Sequence, residues 1–258
     1  MPEASPTVSW VTRPSRPAVN VCHVLREDPE LAEAVEPARR AQALDALVAR
    51  EITIPAGAWK GDPIPIDGGI GLLVLDGVLV CRLGIDSRFG AELLGEGDLL
   101  RSLNGDSPPA TLRVTLDWLV LEPLRLAILD ERFARQLLVF PQLAGRLVER
   151  SVLRSRQLAV NMAIVHQARV DVRLNLLFWH LAGRWGRVRS DGVVVPLRLT
   201  HTILADLVAA RRPTVTSALS ELTRRGLLRV VDEGWLLSGD PPGDQTSGQA
   251  GLDQEEPG

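Results

Sequence analysis

Residues 199–237 read LTHTILADLVAARRPTVTSALSELTRRGLLRVVDEGWLL, and this stretch decides the fold. Thr200 sits where a helix N-cap belongs, since its hydroxyl can accept from a free backbone N–H of the first turn. Ile203, Leu204, Leu207 and Val208 then share one helical face, and Ala205 is small enough for a second helix to cross closely. The turn falls at Ala209-Ala210-Arg211. Pro213 suits the first turn of a second helix, where its missing N–H costs nothing. Val215, Ala218, Leu219 and Leu222 point inward, and Gly226 closes the helix as a C-cap. A strand, the Asp232-Glu233-Gly234 turn and a second strand follow. This is the layout of a winged helix-turn-helix.

The inward positions leave Arg211, Arg212, Thr214, Thr216, Ser217 and Ser220 toward solvent or a ligand surface, with Arg224 a turn further on. From 211 to 229 there are five arginines and one acid, Glu221. Basic charge at a helix start, with small polar side chains along one face, suits docking into the DNA major groove. Thr200, Arg211, Arg212, Thr214, Thr216, Ser217, Ser220 and Arg224 are therefore the candidate DNA contacts. Arg212 is the first choice for a base or phosphate contact. The same residues also fit a solvated face of an ordinary helical hairpin, and a winged helix that docks a protein remains the alternative function.

Upstream, residues 20–50 read as helical, with Asp28-Pro29-Glu30 as a start signal and Pro37 opening a second helix. From 51 to about 130 the texture changes to short strands and turns. Residues 71–75 and 78–82 flank Asp76-Gly77 and read as a hairpin, and 94–98 read as another turn. Strands are expected at 111–116, 118–121 and 124–129, which together suggest a compact β-barrel or roll. A short helix at 130–138 precedes a long one at 141–166. On it Leu143, Leu147, Leu158, Met162 and Val165 form one stripe, interrupted or flanked by Ser151, Arg154 and Asn161. That stripe is either a dimer seam or packing against the chain's own β-domain; polar residues that fix register favour the seam. A helix at 170–185, with Val172, Leu176, Leu177, Trp179 and Leu181 as buried candidates, and a hairpin at 187–197 complete the upstream part.

The chain has 258 residues, 45% of them hydrophobic, and a formal net charge of −3, so it is neither disordered throughout nor a non-specific polyanion binder. Two cysteines, Cys22 and Cys81, give no disulfide framework. No secretory signal and no apolar run of about 20 residues is present, so a cytoplasmic protein is expected, with no membrane partner. The segment 1–18 is rich in Pro and Ser, and 240–258 carries five acids and no base; both are expected to be disordered. The four histidines show no i,i+4 metal spacing, and neither cysteine sits in a cluster that could hold iron–sulfur, so no metal site is assigned. His166 reads as a solvated helix residue before a hinge or haem ligand, and Cys81 as a core thiol before a redox group. No nucleophile–base–acid set stands out, and no enzyme is expected.

At Leu199-Thr200, Ala205, Val208, Arg212, Thr214-Val215, Leu219 and Gly226-Leu227 the chain resembles the CRP/FNR superfamily of transcription regulators. The segments around Asp76-Gly77 and Gly95-Glu96-Gly97-Asp98 resemble that family's cyclic-nucleotide-binding β-roll. The resemblance implies an α+β protein with an N-terminal double-stranded β-roll, a long dimerisation helix and a C-terminal winged helix-turn-helix. The expected divisions are a sensor at 19–138, the dimerisation helix at 139–168 and the DNA-binding domain at 169–239. It also implies a homodimer on a palindromic site in double-stranded DNA, with RNA polymerase and a small-molecule effector as further candidate partners. Two departures stand out. The recognition helix starts Arg211-Arg212-Pro213-Thr214, with Ser217 where the family often has an Arg, so base readout should differ. The phosphate cassette is missing: Leu99-Leu100-Arg101-Ser102 follows Asp98, with Arg101-Ser102 misplaced. Cyclic AMP is therefore not the expected ligand, and the cofactor is left unknown.

Overall fold

The computed structural model describes residues 20–59, 68–86, 88–101 and 114–242. The expectations for 1–18, for 243–258 and for the run 102–113 lie outside them.

The 20–50 region is less helical than its sequence suggests. It opens with strand β1 (Asn20–His23), then runs through α1 (Val24–Glu27), α2 (Pro29–Glu33) and α3 (Pro37–Ala46). The Asp28 carboxylate caps α2 by accepting from the Leu31 N–H at 2.9 Å. Next come β2 (Val48–Ile54), β3 (Gly57–Trp59), β4 (Gly71–Asp76), β5 (Leu79–Ile85), β6 (Arg88–Leu94), β7 (Leu99–Leu100), β8 (Thr115–Val120) and β9 (Leu124–Leu129). They form two antiparallel sheets, ordered β1-β2-β9-β4-β7 and β3-β8-β5-β6.

The hairpin expected around Asp76-Gly77 is not one. β4 pairs with β9 and β7, whereas β5 pairs with β6 and β8, so Asp76-Gly77 is a corner between sheets. Gly77 turns it at φ +94°, with its α-carbon against the Pro123 carbonyl, where a Cβ would collide. The reason is burial on both faces of β4. Leu72 and Val74 enter the core between the sheets with Leu79, Leu94, Leu126 and Ile128. Leu73 and Leu75 point the other way, into a second core with Leu25, Leu31, Phe133, Phe140, Leu143 and Leu147. A strand covered on both sides reads as a continuous apolar run and needs partners on each edge.

Helix α4 (Glu131–Leu137), capped by Asp130, leads into α5 (Pro141–Val165). Arg150 on α5 holds Asp28 through both terminal nitrogens and so fastens the long helix to α2. After α6 (Val170–Trp185) come β10 (Arg187–Arg189), β11 (Gly192–Val195), α7 (His201–Leu207), α8 (Arg212–Arg224), β12 (Leu228–Val231) and β13 (Gly234–Leu237). The last four strands form one antiparallel sheet, β10-β11-β13-β12. α6 buries Leu174, Leu177, Phe178 and Leu181, a face shifted from the expected set; Val172 is exposed. Phe178 meets Trp235 of β13 with ring centroids 5.0 Å apart. A third core unites this domain with the outer face of the roll, since Val78, Val80 and Leu93 pack in one cluster with Leu177, Leu181 and Leu207.

Two of the five stripe residues on α5 must be reassigned. Leu143 and Leu147 are 0% and 3% exposed inside the protomer's own second core, so no partner chain can reach them. Leu158, Met162 and Val165 continue that face toward the roll, where all three line a cavity. The opposite face is the open one. Gly145, Val148, Val152, Ser155 and Ala159 follow a 3–4 repeat and are all exposed. The Ser155 hydroxyl donates to the Ser151 carbonyl at 3.0 Å, so the stripe presents little unmet polarity.

Candidate nucleic-acid interface

The helix-turn-helix is built as its local signals require. Thr200 caps α7, its Oγ1 accepting from the Ile203 N–H at 3.3 Å. The turn passes through Ala209 at φ +50°, a left-handed conformation that is unusual for a residue with a Cβ. Arg173 of α6 secures it: its guanidinium donates to the carbonyls of Val208 (3.1 Å), Ala209 (3.3 Å) and Gln167 (2.6 Å). The carbonyls of the cap and turn just beyond α7 are thus satisfied by a side chain from another helix.

α8 buries Val215, Ala218, Leu219 and Leu222, as its spacing predicts. Arg211, Arg212, Thr214, Thr216, Ser217, Ser220 and Arg224 are exposed. The hydroxyls are not idle. Thr216 donates to the Arg212 carbonyl (3.1 Å), Ser217 to Pro213 (3.2 Å) and Ser220 to Thr216 (3.1 Å). Their protons are used within the helix, so toward a groove they offer lone pairs, which match the amino donors of adenine and cytosine. His201 Nδ1 lies 2.9 Å from Thr216 Oγ1. With the Thr216 proton given to Arg212, His201 is the donor in that contact and fixes the rotamer.

Charge on α8 is more focused than the sequence count implies. Arg224 grips Glu221 through two hydrogen bonds, at 2.9 and 2.7 Å, which raises the arginine further and lowers the acid. Arg225 lies 3.6 Å from Asp171, and Arg229 lies 2.8 Å from Asp191. Among the described residues Arg211 and Arg212 take part in no ion pair. Positive charge is therefore concentrated at the start of α8, where no side chain caps the helix and its first-turn N–H groups stay open. Arg224 is the least available of the candidates. Three contributors went unnoticed in the sequence. His201 positions Thr216, while Asp171 and Asp191 neutralise Arg225 and Arg229 from more than thirty residues away, beyond any local signal.

The domain also touches the roll. Arg184 of α6 donates to the Glu96 carbonyl at 2.9 Å and pairs with Asp98 at 2.8 Å. Arg82 Nε of β5 lies 2.8 Å from Asp206 of α7, a charge contact without hydrogen-bond alignment. Burial pushes the Asp206 carboxyl above its ordinary value, against the pull of Arg82. Among the described residues no group of three or more His, Cys, Asp and Glu could hold a metal, and no helix is long and apolar enough to cross a membrane.

A β-roll, a long helix and a winged helix-turn-helix in this order define the class of fold found in CRP-type proteins. Residues 172–241 match the family model described as the Crp-like helix-turn-helix domain, and the C-terminal part of the chain is such a domain. The chain aligns with a CooA mutant from Carboxydothermus hydrogenoformans at 19% identity and TM-score 0.58, over 74% of this chain and 84% of that one. FixK2 from Bradyrhizobium japonicum aligns at 16% and 0.57, over 75% and 93%. A cyclic nucleotide-binding domain containing protein from Listeria monocytogenes aligns at 14% and 0.61, over 81% and 96%. No curated protein matches at the level of sequence. The α+β fold expected from the resemblance is thus the fold observed.

Proposed function

We propose that this chain is a cytoplasmic, dimeric, sequence-specific DNA-binding regulator of transcription, of CRP/FNR type. The observation that carries the reading is the start of α8: Arg211 and Arg212 without ion pairs, an uncapped first turn, and a row of exposed lone-pair hydroxyls on one face. Phosphates would meet Arg211 and the open N–H groups, and base edges would meet Arg212, Thr216, Ser217 and Ser220. The exposed 3–4 repeat on α5 supplies a surface for a second copy, which would set two such helices on the two halves of a palindrome. The roll serves as the sensor, its ligand changed from the family's cyclic nucleotide, and RNA polymerase is the downstream partner this reading implies.

The test is selection of bound fragments from genomic DNA, then gel shift on the selected site. Arg212→Ala should weaken binding about 5- to 150-fold and relax preference at one position of each half-site. Unchanged binding at every sequence would remove Arg212 from the interface. DNA affinity that ignores salt would instead point to a protein as the partner of α8, because phosphate contacts release counterions.

A further inference from the structure

Two aspartates hold the arginines around the DNA-binding helix in pairs. Asp171, in the first turn of α6, accepts from Arg169 Nε at 3.0 Å and from its Nη2 at 2.7 Å. The same carboxylate has its Oδ2 3.6 Å from Nη1 of Arg225, the residue that ends α8. Asp191, in the β10–β11 turn, divides its two oxygens. Arg229 of β12 donates to Oδ2 at 2.8 Å, and Nε of Arg189 on β10 lies 3.3 Å from Oδ1. One such hub thus sits at the end of α8 and the other beside the wing.

The four guanidiniums are not buried. Their side chains are between 47% and 71% exposed, within reach of a phosphate in solution. Exposed ion pairs of this kind add little to folding stability, because water already screens them. Their larger effect is on the field outside the protein. An aspartate shared by two arginines leaves one net positive charge where two would stand, and it repels a phosphate that approaches either of them. Arg211 and Arg212, at the start of α8, have no such partner among the described residues.

We propose that Asp171 and Asp191 withhold Arg169, Arg189, Arg225 and Arg229 from DNA phosphates, so that binding to duplex of any sequence stays weak and contact is confined to the start of α8. The proposal rests on the reading of this chain as a DNA-binding protein. Phosphate contacts carry no sequence information and strengthen binding to every duplex alike. Random sequence vastly outnumbers any target site, so each contact withheld reduces the share of the protein held away from its target.

The test follows the full chain on a labelled short duplex of random sequence, by fluorescence anisotropy over a range of salt concentrations. The slope of log affinity against log salt counts phosphate contacts, at about 0.9 for each. Asp191→Asn keeps the size of the side chain and removes its charge. It should steepen the slope by about 0.9 to 1.8 per bound chain, for one or two arginines released, and raise affinity about eight- to sixty-fold at about 0.1 M salt. Asp171→Asn, assayed well below its melting temperature, should steepen the slope likewise. Adding Arg189→Gln and Arg229→Gln to Asp191→Asn should return the slope to the wild-type value. Glu233→Gln is the control for charge alone: Glu233 is exposed in the β12–β13 turn and holds no arginine among the described residues, so its loss should leave the slope unchanged. A slope no steeper than that of Glu233→Gln in either aspartate variant, or a steepening that survives the loss of both arginines, would overturn the proposal. If the wild type binds duplex and the slopes coincide, this proposal alone falls. If it binds no duplex at any salt concentration, the DNA-binding reading falls with it.

Discussion

The two faces of α5 make opposite demands, and a pair of substitutions separates them. Val148 and Val152 are 63% and 47% exposed in the protomer. Burying a whole valine side chain is worth about 1.5–3 kcal/mol, so sealing the exposed half of each contributes about 1 kcal/mol. A two-fold dimer holds four such residues, for about 4 kcal/mol in all. Val148→Ser with Val152→Ser should remove most of this and raise the dimer dissociation constant close to a thousand-fold. Sedimentation equilibrium over a wide concentration range reads the change directly. Leu147→Ala is the counterpart: it empties a core site, should cost about 2–5 kcal/mol of protomer stability, and should leave association of the folded protein unchanged. If the double serine variant dimerises as the wild type does while Leu158→Ser weakens association, the outward face is not the seam and the reasoning fails.

Ala209→Gly should stabilise the protein, because an L side chain at φ +50° costs about 1–2 kcal/mol and glycine gives back only part of that in chain entropy. The net is about 0.5–1 kcal/mol, or about 2 °C in a thermal melt, and a lower melting temperature would contradict it. Asp171 is held below the usual carboxylate range, first by its hydrogen bonds from Arg169. A lowered folded value means stability that is present above the ordinary carboxylate pKa and lost as pH falls through the folded one. Asp171→Asn should therefore melt lower at pH 7, with the gap shrinking as pH falls below about 4; a gap as wide at pH 3 as at pH 7 would show the effect is not ionic. Burial pushes both the Cys22 and Cys81 thiols up to about 11. At pH 8 each should carry about 100-fold less thiolate than an ordinary thiol near 9, so alkylation by iodoacetamide should be slow, and fast labelling of Cys81 would refute its burial.

The helix-turn-helix was readable because each of its signals acts within a few residues: the Thr200 cap, Pro213 in the first turn of α8, Gly226 after it. The same cannot hold for strand pairing. Asp76-Gly77 announces a change of direction, but whether β4 meets β5 or β9 depends on what covers its two faces, and β9 lies some fifty residues further on. The long helix misled for a different reason. Its most apolar stripe, Leu143 and Leu147 included, faces the largest core available, which is the protomer's own. The face left exposed is built from smaller groups, Gly145, Ser155 and Ala159 among them, and hydrophobicity alone ranks it second. The charge of α8 was overcounted because Asp171 and Asp191 come from α6 and the β10–β11 turn. The cavity between the roll and α5 was not legible, since its walls come from six separate elements.

The third core joins Val78, Val80 and Leu93 of the roll to Leu177, Leu181 and Leu207 of the C-terminal domain. The roll and the C-terminal domain are therefore not interchangeable cassettes. A graft of this winged helix onto a foreign roll would leave one half of an apolar joint facing a surface that never adapted to it. Drift in the two halves must be matched across that joint, and a substitution at Leu93 is felt in the C-terminal domain although the residue belongs to a strand of the roll.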